Sequence, residues 1–153
     1  MITAKHDATY VSIYRGCLNY FKALEIIYIS DETCPPDSFG FLASHSLELA
    51  LKAYLLSQGM SEEKVRRKVG HSLKNAWGRS VDNGLEIEAE LPGWCKDLDA
   101  AHDWTHDYLM RYARVNTGLV LPSQQVLYES VGRVIDSVGV QIGLDRSGNF
   151  IHD

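Results

Sequence analysis

Where proline and glycine fall decides most of what this chain can become. Its four prolines stand at Pro35-Pro36, Pro92 and Pro122, and between them apolar residues recur in alternating steps of three and four, the period of a helix with one buried face. The first such segment runs from about Lys5 to Ile29, with Tyr10, Tyr14, Cys17, Phe21, Leu24 and Tyr28 on one stripe. A breaker-rich loop, Asp31 to Asp37, ends it. Asp37 or Ser38 is the expected cap of a second helix, with Phe39, Leu42, Ser46, Leu49, Ala53 and Leu56 in register and Gly59 as its stop. Ser61 offers the cap of a short helix that ends near Gly70, and His71-Ser72 opens another that closes at Asp82-Asn83-Gly84. A long segment is expected from Trp94 to Val115, carrying Trp94, Leu98, Ala101, Thr105, Tyr108, Tyr112 and Val115. After Pro122, Ser123 caps a last helix with Leu127, Val131, Val134, Val138 and Ile142 inward. Gly132, Gly139 and Gly143 weaken that helix by about 1 kcal/mol each against alanine, and fit places where another helix comes close.

No convincing strand competes with this pattern. The fold class it predicts is all-α, a single-domain antiparallel bundle of four to five helices spanning 1–153. Composition agrees with a globular chain: 45% of the residues are hydrophobic and 23% charged. No stretch approaches the ~18 consecutive apolar residues of a membrane span, and the first residues lack a secretory pattern. Three widely spaced cysteines, Cys17, Cys34 and Cys95, form neither a CxxC pair nor a zinc-finger spacing. They suit a reducing cytoplasm, with Cys17 as a small core residue and Cys34 on a loop. A formal net charge of −5 argues against a broad basic face for nucleic acid and leaves room for a local one.

Four constellations could carry chemistry. His45, Glu48 and Lys52 share a helical face, and Glu48 and Lys52 stand in the favourable i,i+4 order. On the surface they read as an ion pair beside a hydrogen-bonded histidine. Partly buried, they become a polar binding site in a crevice. Lys64 to His71 gathers Arg66, Arg67 and Lys68 just before a histidine. Arg66 could stabilise phosphate charge and His71 exchange protons, the pair a ribonuclease needs, or the run is a solvated basic turn with His71 capping the next helix. His102 and His106, at i and i+4, could face one metal, but no HExxH glutamate and no third ligand accompany them, so neither a metal site nor a cofactor is expected. Arg111 and Arg114 suit either a helix C-terminus or anion recognition, with Tyr112 between them. No GxGxxG, Walker-type or GxSxG motif is present.

With these residues in place, the chain resembles the HEPN family (higher eukaryotes and prokaryotes nucleotide-binding). His45 to Gly59, with Glu48 and Leu51-Lys52-Ala53, is similar to that family's second helix. Gly70-His71-Ser72-Leu73 is similar to its GH-x-L element, Arg111-Tyr112 to its RY pair, and Pro122 to the connector that follows, so the resemblance covers most of Phe39 to Ile142. It implies a helical bundle, often a homodimer, working in toxin–antitoxin, defence or RNA-processing systems beside a cognate nucleotidyltransferase antitoxin. Many members are metal-independent ribonucleases with a late R-x4-6-H motif. Here Tyr112 follows Arg111 with no histidine in reach, and the pair with the right spacing, Arg66 and His71, coincides with the GH-x-L element. The resemblance therefore implies a nucleotide-, RNA- or protein-binding module, with His45, Glu48, Lys52, Arg111, Tyr112 and Arg114 as binding residues. The alternatives are a ribonuclease toxin using Arg66 and His71, and a helical oligomerisation scaffold.

Overall fold

A computed structural model describes residues 3–30, 33–102 and 121–152, with side chains from Thr9 onward. These residues form six helices: α1 (Thr3–Ile29), α2 (Pro36–Ser57), α3 (Glu62–Lys68), α4 (Leu73–Asp82), α5 (Gly93–His102) and α6 (Gln124–Ile142). The protein is all-helical over the described residues, apart from one isolated bridge between Leu144 and Phe150. No helix among them is long and apolar enough to cross a membrane.

Helix ends follow local chemistry. Ser61, Ser72 and Ser123 each accept a hydrogen bond from the backbone N–H three residues on, at 3.1, 3.1 and 3.2 Å. The start of α2 differs from the expectation at Asp37 or Ser38. Pro35 occupies the cap with no side-chain bond, and Pro36 is the first helical residue. Proline suits that place because its φ is already helical and its missing N–H would have had no partner. Gly59, with φ of 94°, closes α2: its N–H meets Leu56 O at 3.0 Å and that of Met60 meets Leu55 O at 3.2 Å. Gly84 closes α4 with the same pair of bonds, to Val81 O and Ser80 O.

The second helix is more deeply buried than one apolar stripe predicts. Ala43, Leu47, Ala50, Leu51, Tyr54 and Leu55, off the expected stripe, are buried together with Phe39, Ala53 and Leu56. The reason is topological: α2 packs against α1, α3, α4, α5 and α6, so nearly its whole circumference faces protein. The stripes of α1 and α6 enter the same core through Tyr14, Cys17, Phe21 and Leu24, and through Leu127, Val131, Val134 and Val138. A Cβ added at Gly132 would lie 3.1 Å from Phe21 Cζ, and one at Gly139 would lie 2.9 Å from Leu144 O and press on the Tyr14 hydroxyl. These two α6 glycines therefore mark the close approach that their sequence positions suggested. Gly143 has another reason, a φ of 77° at the end of α6.

Candidate functional site

One charged residue of the central helix is buried with the apolar ones. Glu48 lies inside the fold, with its side chain 3% exposed. A carboxylate so placed must be paired or hydrogen-bonded on both oxygens to stay charged, and three elements supply the partners. From α2 itself, Lys52 Nζ lies 2.7 Å from Oε1. From the turn before α4, His71 Nδ1 lies 2.8 Å from the same oxygen. From the last described turn of α5, His102 Nε2 lies 2.8 Å from Oε2. His45 Nδ1 stands 3.8 Å from Oε2, beyond hydrogen-bond reach.

Local structure brings these groups together. Gly70, with φ of 56°, turns the chain out of α3 and delivers His71 next to the capping residue Ser72. It is therefore Ser72, and not His71, that caps α4. Asp99 on α5 accepts the Leu73 N–H at 2.6 Å, which ties the start of α4 to the helix that carries His102. The His71 and His102 rings meet edge to face at 6.4 Å. His45 is held between Tyr20, edge-on at 4.5 Å, and Phe41, stacked at 5.7 Å.

The electrostatics are decided by a contest at Glu48. Burial alone would push its carboxyl up, but the hydrogen bond from His102, the nearby His45 and the Lys52 ammonium outweigh it and hold the carboxyl well below the usual carboxylate range. An ionised carboxylate only accepts, so both imidazoles donate to it, His102 from Nε2 and His71 from Nδ1. For His71 that donation leaves, in the neutral ring, the basic lone pair on Nε2, the nitrogen directed away from Glu48. For His102 the second nitrogen lies 2.9 Å from Ser44 Oγ, which also reaches Phe41 O at 3.0 Å. The single Ser44 hydroxyl proton can thus serve His102 Nδ1 when the ring is neutral, or Phe41 O when Nδ1 itself carries a proton.

The structure joins His45, Glu48 and Lys52 to His71, as a partly buried site and not as a surface ion pair. It does not place Arg66 in that cluster: Arg66 is exposed on α3, while His71 turns to Glu48 and to the ring of His102. The proposed catalytic pairing of Arg66 with His71 therefore gains no geometric support. Arg111, Tyr112, Arg114 and His106 lie outside the described residues. Sequence reasoning missed His102 as a partner of Glu48, and it missed Ser44 entirely. The available signal was that Ser44 stands one helical turn before Glu48, on the same face. Compared with known families, with curated proteins and with solved structures, the chain finds no match.

Proposed function

We propose that this chain is a HEPN-like helical module whose Glu48-centred site binds a phosphate-bearing ligand, a nucleotide or an RNA. One observation carries the reading. The buried Glu48 carboxylate gathers Lys52 and two histidines, and one of these, His71, stands three residues after the exposed basic segment Arg66, Arg67 and Lys68. With neutral histidines the Glu48–Lys52 pair sums to zero, and every protonated imidazole adds positive charge around a carboxylate that is itself withdrawn from the surface. His71, with its side chain 43% exposed, and Lys52, at 17%, are the groups an anion can reach. Glu48, Lys52 and His71 are also among the residues on which the family resemblance rests. Isothermal titration with mononucleotides and short RNAs tests the reading: saturable binding that Lys52→Ala and His71→Ala each weaken supports it, and equal affinity in all three proteins rejects it.

A second reading, a metal-independent ribonuclease, is favoured by the Glu48–His71 hydrogen bond alone. A carboxylate behind Nδ1 orients an imidazole whose Nε2 can take the proton of a 2′-hydroxyl. Cleavage of a structured RNA in chelator, lost in His71→Ala, is the outcome that separates it from simple binding. Homodimerisation belongs to the same proposal. Ile29 and Val140 are 71% and 73% exposed, and light scattering on the purified chain gives the oligomeric state. Pull-down of a nucleotidyltransferase on co-expression tests the toxin–antitoxin setting.

A further inference from the structure

The donors around Glu48 have a second use that does not depend on phosphate binding. Glu48, His71 and His102 offer a carboxylate oxygen and two imidazole nitrogens, all within 4.8 Å of one another. Two nitrogens and one carboxylate oxygen are the donor set of borderline-soft ions such as zinc, and are poor company for magnesium or calcium, which demand oxygen. Ligands bound tetrahedrally to zinc at about 2.0–2.2 Å stand roughly 3.3–3.6 Å apart. The two N···O separations here are 2.8 Å, one to each carboxylate oxygen, so an ion would be seated by side-chain rotations that widen these contacts by more than about half an ångström and turn both nitrogens toward one point.

The surrounding hydrogen bonds suit that exchange. An ion needs the Nε2 lone pair of His102, which moves the ring proton to Nδ1. There it is donated to Ser44 Oγ at 2.9 Å, while Ser44 turns its own proton to Phe41 O at 3.0 Å. The His102 ring is then oriented as metal-bound histidines usually are, by a bond from the nitrogen that does not touch the ion, and the Nδ1 proton of His71 must likewise move to Nε2 on its half-exposed ring, where solvent can accept it. A further observation points at the same place. The Nδ1 atom of His45 is buried and, among the described residues, has no hydrogen-bond partner. It faces Glu48 Oε2 across 3.8 Å, too wide for a proton to bridge.

We propose that Glu48, His71 and His102 form a binding site for a zinc-class divalent ion, and that the Lys52 ammonium is the resident cation this ion displaces. Lys52 Nζ sits 2.7 Å from Oε1, where it both occupies a ligand oxygen and repels an incoming cation. Its flexible stem, partly exposed, lets it swing into solvent. Lys52 is thereby a gate on the site, and its removal should tighten ion binding.

The test is titration of the full chain, freed of metal by chelator, with Zn²⁺ by calorimetry and with Co²⁺ by visible absorption. Wild type should take up one ion per chain at the site, and Co²⁺ should give ligand-field bands. His71→Ala, at a half-exposed position, should weaken the ion by about tenfold or more, and Lys52→Met should tighten it by a similar factor. Circular dichroism verifies that both variants are helical. The proposal is overturned by no stoichiometric uptake, by equal affinity in wild type and His71→Ala, or by equal or weaker affinity in Lys52→Met. The phosphate reading predicts that loss of Lys52 weakens its ligand, so the two ideas fail on opposite outcomes.

Discussion

Replacing Glu48 should cost this fold more than replacing any surface acid. Glu48→Ala leaves Lys52, His71 and His102 without their shared acceptor and removes one buried methylene along with the carboxylate. Breaking a buried ion pair by deleting one partner costs about 3–5 kcal/mol, and the lost methylene adds about 0.8 kcal/mol at most. Glu48→Gln should cost roughly half as much. The carboxamide oxygen can still accept from Lys52 and His71. Its NH₂ can face His102 if that ring shifts its proton to Nδ1 and donates to Ser44, so the loss is mainly one of charge. With a urea dependence of about 2 kcal/mol per molar, the alanine variant should unfold about 2 M earlier and the glutamine variant about 1 M earlier. Equilibrium unfolding followed by circular dichroism reads both. An alanine variant within about 1 kcal/mol of wild type would refute the claim that Glu48 organises the centre of the molecule.

Other expectations follow from the same geometry. Since the Glu48 carboxyl is held below its ordinary value of 4.5, its contribution is fully present above that pH and fades as pH falls. The stability gap between wild type and Glu48→Gln should therefore narrow by about 1.4 kcal/mol per pH unit below ~4.5, read from urea midpoints at pH 5, 4 and 3. Gly139→Ala should destabilise by about 1–3 kcal/mol, despite the gain of about 1 kcal/mol in helix propensity, because the new methyl meets Leu144 O and Tyr14; a raised melting temperature would contradict the packing described for α1 and α6. Burial pushes the Cys17 thiol up to about 12, and Cys95 is likewise buried and raised. A thiol reagent at pH 8 should thus label Cys34 quickly in the native protein and all three cysteines only after unfolding, as mass spectrometry would show.

What could be read in the sequence was local. Serine caps at Ser61 and Ser123 and glycine stops at Gly59 and Gly84 depend on residues within a few positions of each other, so they were legible, whereas Ser72 takes the cap expected of His71 and Gly143, expected inside the last helix, ends it. Pro35-Pro36 was legible as a boundary, but the preference of proline for the first helical position overrode Asp37 and Ser38 as caps. The inward stripes of α1 and α6 were visible for the same reason. The centrality of α2 was not, because a helix surrounded by five others shows no clean face, and periodicity cannot say how many neighbours it has. At the site, His45, Glu48 and Lys52 could be grouped because one helix carries them. His71 was singled out beside the basic run, and its meeting with Glu48, 23 residues away, is tertiary. His102, 54 residues from Glu48, was paired in sequence with His106, since spacing within one helix is all that a chain displays.

The central question about this molecule is whether the Glu48 cluster is a ligand site. The most direct measurement is calorimetric titration of a nucleotide and a short RNA into wild type, Lys52→Ala and His71→Ala, with thermal melts confirming that each protein is folded. The account predicts saturable binding to wild type, weakened by about tenfold or more in each folded variant, as expected when a charge-assisted contact worth about 1.5 kcal/mol or more is removed. Binding that is indifferent to both substitutions, or absent from wild type, would contradict it and leave Glu48 as the polar keystone of a purely structural core.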